Sequence, residues 1–320
     1  MDEVKPKTAV IFGGSGFIGS HLSSKLLLMG YEVIIADLIP PNIQGVDFIE
    51  CDVRTKILLK LAKVPEIVFN LAAIHRTPGH KADEYYECNV LGAVNVTNWC
   101  TQHGVKRILF TSSISVYGPK KEMMRESSEL QPIDSYGKSK VMAERIHQRW
   151  QEEKSNERTL VICRPAVIFG AGEKGNFTRL ANALRKRHFI IPGTGETIKS
   201  CGYVKDLIKS FFFVLNTSDN NIILYNFCYP ELYSLNSILL AFNKVAGYPL
   251  PPKIPFSGLV IFLSRLPSPM NSLGSRLKKL LLDTKVSPTY LLQKSFSWDT
   301  DLSSGLEDWK LSSNNKNYFK

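Results

Sequence analysis

Ser113, Tyr136 and Lys140 are the side chains of this 320-residue chain whose types and spacing suit proton transfer. Tyr136 and Lys140 stand four residues apart in Tyr136-Gly137-Lys138-Ser139-Lys140, so on a helix they share one face, one turn from each other. A phenol with an ordinary pKa of about 10 is a poor base at neutral pH, but a neighbouring ammonium and a positively charged ring favour its phenolate. Ser113 follows Arg107-Ile108-Leu109-Phe110-Thr111-Ser112, which reads as a strand. Its hydroxyl therefore stands at the end where open α/β sheets bind ligands, within reach of a reacting oxygen. Alone, a Tyr-x-x-x-Lys is more often a solvated helix pair than a catalytic one.

A second motif supplies the missing partner. In Gly13-Gly14-Ser15-Gly16-Phe17-Ile18-Gly19 the glycines lie between a buried strand, Thr8–Phe12, and a helix from Phe17 to Met29 with apolar residues at Ile18, Leu22 and Leu26. Gly13 permits the tight turn, Gly16 admits a pyrophosphate to the helix N-terminus, and Gly19 lets the helix pack on the strand. The next strand, Tyr31–Asp37, ends in a carboxylate where adenosine ribose hydroxyls lie. Asp37 accepts hydrogen bonds from two hydroxyls and repels a 2′-phosphate, so the expected cofactor is NAD rather than NADP.

These stretches resemble the extended short-chain dehydrogenase/reductases of the NAD-dependent epimerase/dehydratase family, and the likeness covers nearly the whole chain. It is carried also by Cys51-Asp52-Val53, Asn70-Leu71-Ala72-Ala73, Asn89-Val90, Thr111 to Gly118 and Arg164 to Gly170. The resemblance implies Tyr136 as acid and base, Lys140 as modulator of its pKa and ribose ligand, and Ser113 as the substrate-orienting hydroxyl. For the cofactor it implies contacts from Gly13, Gly16, Phe17, Ile18, Gly19, Asp37, Asp52, Val53, Leu71, Ala72, Ala73, Asn89, Tyr136, Lys140, Arg164 and Pro165. For the substrate it implies His75, Arg76, Ser113, Asn176, Lys199 and Tyr203. Members that eliminate water carry an acid just after the active-site Thr; here Ile114 and Ser115 stand there, which disfavours dehydration. Epimerisation by transient C4 oxidation is the expected reaction, with reduction of a keto-sugar as the alternative. The intact Ser113, Tyr136 and Lys140 set speaks against a non-catalytic NAD-binding scaffold.

On the substrate side the chain departs from nucleotide-sugar members. Lys199 replaces an Arg, exchanging a bidentate fork for a point charge, and no R-x-G-D appears between Pro249 and Trp298. Ala72 to Arg76, Arg164 to Gly170 with Gly175-Asn176, and Lys199 to Val204 are similar to members that act on a polyprenyl-diphosphate-linked N-acetylhexosamine. The expected substrate is a diphosphate-linked sugar on a lipid or UDP carrier, in the making of a bacterial surface polysaccharide such as O-antigen.

Alternating strands and helices from Thr8 to Gly170 predict an α/β fold, a Rossmann-type doubly wound parallel sheet with a smaller mixed C-terminal substrate lobe. The NAD-binding domain is placed at residues 1–170 with a returning part near 195–228, the lobe at 171–194 and 229–311, and a disordered polar tail at 312–320. Six scattered cysteines without C-x-x-C spacing read as reduced core residues, no metal site is indicated, and the charged N-terminus does not read as a signal peptide. A cytoplasmic protein is expected, peripheral at the inner membrane face if the carrier is lipid. The net charge of +11 calls for an anionic partner or is a solvated basic surface; without a binding motif, nucleic acid is disfavoured. Residues 256–285 pair an apolar run, too short for the ~20 residues of a membrane span, with basic residues at helical spacing. That pattern suits an anionic bilayer surface, and it suits packing of the lobe equally. A homodimer through the helices around Ala82–His103 and Ser135–Glu153 is implied by the family.

Overall fold

The computed structural model describes residues 6–75, 79–217, 221–254, 281–313 and 319. Thr8-Ala9-Val10-Ile11-Phe12 forms β1 (Thr8–Phe12), buried at every position, as a central parallel strand must be. The chain continues through α1 (Phe17–Leu28), β2 (Glu32–Asp37), β3 (Asp47–Glu50) and β4 (Ile67–Asn70). Next come α2 (Ala82–Tyr85), a π-helical turn (Tyr86–Leu91), α3 (Gly92–Gln102), β5 (Arg107–Thr111), a 3-10 turn (Ile114–Tyr117) and α4 (Ser135–Glu152). They are followed by β6 (Thr159–Pro165), β7 (Val167–Phe169), α5 (Asn176–Arg185), β8 (Ile191–Pro192), β9 (Cys201–Tyr203), α6 (Val204–Thr217) and β10 (Ile222–Phe227). The last elements are α7 (Leu235–Ala246), β11 (Lys253–Ile254), α8 (Thr289–Gln293) and α9 (Leu302–Ser312).

Seven parallel strands form one sheet in the order β10-β6-β5-β4-β1-β2-β3. Alternate residues of each strand feed cores on opposite faces. Ile11, Phe69, Leu109 and Val161 pack with Leu22 of α1 and Phe211 of α6. Val10, Phe12, Val68, Ile108 and Phe110 pack with Trp99 of α3 and Trp150 of α4. The order reverses between β1 and β4, and at such a switch the loops leaving the strand ends part to form a ligand crevice. The glycine loop leaves β1 there and Leu71-Ala72-Ala73 leaves β4.

The smaller lobe has its own aromatic core, with Phe169, Phe177, Tyr203, Phe242 and Trp309 all nearly inaccessible. Within the returning part, α6 and β10 join the main structure, whereas β9 pairs with β7 in a separate two-stranded sheet through Val167↔Cys201 and Phe169↔Tyr203. The expectation of a disordered tail fails at both its described ends. Ser312 closes α9, Ser313 Oγ donates to the Trp309 carbonyl at 3.1 Å, and Phe319 is 3% exposed. The Phe319 ring packs 5.1 Å from Phe242 and 4.8 Å from Trp309, so one aromatic after a polar run finds an apolar slot. Of the stretch read as membrane-facing, residues 255–280 lie outside the described residues. Lys285 pairs with Asp283 at 3.0 Å, and the neighbouring Thr284 N donates to the Ile198 carbonyl at 3.0 Å.

Candidate active site

Tyr136 reaches Ser113 because two glycines allow close approach. Asp134 caps α4 by accepting from Gly137 N at 2.9 Å, which fixes where the helix starts. A Cβ on Gly137 would lie 2.5 Å from the Ser115 carbonyl oxygen, so only glycine lets α4 begin against the 3-10 turn. Gly118 ends that turn at φ +68°. Ser113 is 9% exposed; its Oγ accepts from Ser115 N at 3.1 Å and donates to Ser115 Oγ at 3.2 Å, and the Tyr136 phenol lies beside it. Burial pushes the phenol up to about 12, against a smaller downward pull from Ser113. Lys140, 2% exposed, donates from Nζ to the Thr111 carbonyl at 2.8 Å and lies 4.8 Å over the Phe110 ring; burial pulls it down to about 8. In this arrangement the phenol keeps its proton and the ammonium addresses a backbone carbonyl.

Polar neighbours hold this pair in place. Asn89, in the π-helical turn, accepts from Ile74 N at 2.9 Å and donates to the Ile74 carbonyl at 3.1 Å and to Ser139 Oγ at 2.9 Å. Its amide thus ties the loop after β4 to α4. Beneath Lys140 lies His147, stacked 4.1 Å from Phe110. Its Nδ1 bonds the Ala143 carbonyl at 2.8 Å, which leaves Nε2 to accept from Asn70 Nδ2 at 3.1 Å. Burial lowers His147 to about 4 and keeps it neutral. No sequence motif pointed to His147; seven residues after Lys140, it lies on the same buried face of α4.

The residues around the switch point fit a dinucleotide. A Cβ on Gly13 would fall 2.6 Å from Ala72 N, and one on Gly19 would fall 2.5 Å from the Gly14 carbonyl, so both glycines are demanded by packing. A Cβ on Gly16 would meet only the Gly13 carbonyl at 3.3 Å. Gly16 caps α1 without a side-chain hydrogen bond, leaving the first-turn N–H groups to an anion, with Phe17 and Ile18 opening the helix. Asp37, at the end of β2, accepts from Ser15 N at 2.9 Å and Leu38 N at 2.7 Å, which aims its carboxylate at the loop. Asn70 Oδ1 and Ser112 Oγ, at the ends of β4 and β5, are buried without a partner among the described residues. Asp52 is gripped by Arg54 at 2.7 Å, and the Val53 carbonyl accepts from Asn95 at 2.8 Å.

Arg164 corrects another expectation. Although burial opposes its charge, Glu144 raises its pKa through bonds of 2.8 Å to Nε and 2.6 Å to Nη2. Nη1 donates to Tyr117 Oη at 2.9 Å and to the Glu126 carbonyl at 3.3 Å. The guanidinium thus binds β6 to α4 and the loop before it, and of the Arg164-Pro165 pair only the strand end lies at the crevice. Tyr203 is likewise a core residue, 1% exposed and bonded to Asp308 of α9, not a substrate contact. Lys199 donates to the Leu282 carbonyl, and burial lowers it to about 8. Asn176, exposed at the first position of α5, accepts from Arg179 at 2.9 Å. His75 is exposed after β4, and Arg76 lies outside the described residues. One aromatic neighbour escaped sequence reasoning: Tyr85, 3% exposed, whose ring centre is 6.2 Å from that of Tyr136.

The family model described as NAD dependent epimerase/dehydratase family matches residues 9–227. Over 317 residues the chain is 30% identical to N-acetyl-alpha-D-glucosaminyl-diphospho-ditrans,octacis-undecaprenol 4-epimerase of Escherichia coli O157:H7, covering 93% of this chain and 92% of that one. The solved structure of MoeE5 in complex with UDP-glucuronic acid and NAD is similar with a TM-score of 0.75 at 25% identity, covering 93% of this chain and 96% of that chain. The fold is shared too by UDP-N-acetylglucosamine 4-epimerase from Methanobrevibacter ruminantium M1, solved with UDP-N-acetylmuramic acid, at a TM-score of 0.77 and 23% identity over 95% of this chain and 97% of that chain.

Proposed function

Because this chain belongs to the NAD-dependent epimerase/dehydratase family and its cofactor is NAD, we propose that it inverts C4 of an N-acetylhexosamine carried on a polyprenyl diphosphate. The observation that carries the reaction type is the Ser113–Tyr136 pair at the switch point, flanked by Ile114 and Ser115 where an eliminating enzyme needs an acid. NAD supplies the oxidation at C4 and the re-reduction on the opposite face. Ser113 holds the C4 oxygen, and Tyr136 takes its proton and later returns it. With the phenol held near 12, that transfer needs positive charge close by, which Lys140 contributes while it is protonated.

The carrier is supported by the relative that acts on an undecaprenol diphosphate sugar and by Lys199 in place of an Arg. A lipid carrier requires contact with the bilayer, for which residues 256–285 offer an apolar and basic sequence. The exposed Leu91 and Met142, before α3 and on α4, support a homodimer through these helices. The test is incubation, without added cofactor, with UDP-linked and polyprenyl-diphosphate-linked N-acetylglucosamine, followed by release and chromatographic separation of the two epimers. Interconversion of the lipid-linked sugar in both directions is expected. Turnover of UDP-sugars alone would replace the reading with a UDP-sugar 4-epimerase, and a strict need for added NADPH would replace it with a keto-sugar reductase. Lys278→Glu with Lys279→Glu should weaken sedimentation with anionic vesicles while sparing NAD.

A further inference from the structure

Charge is segregated in this protein. Residues 174–195 and 232–282 hold eleven of the 40 Lys and Arg and none of the 29 Asp and Glu, so the entire net charge of +11 belongs to these two stretches. The fold joins them. Strand β8 pairs in parallel with β11 through Ile191↔Lys253, and Ile191 N donates to the Pro252 carbonyl at 3.0 Å. At this seam a groove runs between the end of α5 and the segment after α7, lined by Leu184, Arg187, Phe189 and the run from Pro249 to Pro252.

Lys186, Arg187, Lys244 and Lys253 on the two stretches are exposed. None forms an ion pair among the described residues. Some cations elsewhere on the surface do: Lys63 pairs with Glu32 and Arg107 with Glu66. Beside the unpaired cations, Ile190 is 42% and Leu250 53% exposed. A nucleic acid would answer the charge and leave these apolar side chains in water. A bilayer containing acidic phospholipid answers both, since its surface is anionic and its interface accepts apolar side chains.

We propose that the seam between α5 and β11 is a docking face for anionic membrane, formed by residues other than 256–285. The purpose of the face rests on the lipid-carrier reading; the segregated charge does not. Sedimentation of the full chain with phosphatidylglycerol-containing vesicles should fall as salt rises, and pure phosphatidylcholine vesicles should not bind. Each cation near such a surface is worth about fivefold in partition, so Lys186→Glu with Arg187→Glu should weaken binding at least tenfold. Leu250→Asp should weaken it severalfold. Both variants should melt as the unmodified protein does and keep its turnover in detergent micelles, which shows that the fold is intact.

Full vesicle binding by the double variant, equal binding to phosphatidylcholine, or no binding at low salt would each overturn the proposal. Turnover of lipid-linked sugar in detergent without vesicle binding would remove the face and leave the carrier reading standing. Vesicle binding through this face with turnover of UDP-sugars only would do the reverse.

Discussion

Two buried cations, Lys140 on α4 and Arg164 on β6 against it, are treated in opposite ways. Lys140 has a carbonyl and an aromatic face beside it, and burial draws its pKa down to about 8. Arg164 is 3% exposed and meets the Glu144 carboxylate on two bonds, which overcomes the burial and locks its charge. Glu144 sits one helical turn beyond Lys140, so α4 supplies the counter-ion to Arg164, whereas the Lys140 ammonium finds the Thr111 carbonyl at the end of β5. The cation proposed to influence the phenol has no salt bridge among the described residues, whereas the one that joins strand to helix is neutralised.

The comparison breaks first at the chemistry. Tyr136→Phe should reduce turnover by about 10²–10⁴-fold with NAD still bound, measured by kcat and by cofactor retention on gel filtration. Lys140→Met should lose turnover on a similar scale and bind NAD less tightly, yet melt no lower, because it removes a charge that burial penalises. Arg164→Met should do the opposite, costing about 3–5 kcal/mol in urea unfolding by stranding Glu144 without its partner. A drop in Tm for Lys140→Met as large as for Arg164→Met would erase the distinction.

Titration sharpens it. The alkaline limb of kcat should lie near pH 8, where Lys140 loses its proton. Since folding lowers that pKa, the unfolded chain binds the extra proton between about pH 8 and 10.5, and stability should rise with pH across this window. His147 behaves alike at lower pH: from 6.5 down to about 4 only the unfolded chain takes up its proton, so acid should remove on the order of 3 kcal/mol that His147→Leu no longer loses. The smallest effect belongs to Asp37→Ala, which should narrow the preference for NAD over NADP by roughly tenfold in binding titrations. A native preference for NADP would contradict the reading of that carboxylate.

How far the sequence could be read follows from which interactions are local. The strand, glycine loop, helix and acid from Thr8 to Asp37 were readable because turn chemistry and periodicity act over a few residues. The Tyr136 to Lys140 spacing was readable for the same reason. Arg164 misled because a family motif records that a residue recurs, not whether its side chain faces a ligand or a carboxylate twenty positions away. The pairing of His147 with Asn70 joins residues 77 apart and left no local trace. Phe319 misled because the polar composition around it concealed one aromatic side chain with a distant slot to fill. Tyr203 was assigned to substrate by likeness, although the surrounding Cys201-Gly202-Tyr203-Val204 is as apolar as the lobe core it joins.

The edge strand β10 ties the making of the cofactor half to the making of the lobe. Ile222 to Phe227 pairs with Leu160 to Pro165, and between them the chain must lay down β7, α5, β8, β9 and α6. During synthesis β6 therefore emerges with a bare edge, and the side chains of Tyr225 and Phe227 are absent from the core they later fill. Such late, non-local parallel pairing is slow and leaves nascent chains prone to association. A fragment cut at residue 170 would keep the glycine loop, Ser113, Tyr136 and Lys140, yet would carry that bare edge permanently. Separate expression of the two halves should accordingly yield an aggregating N-terminal piece rather than a small NAD-binding domain.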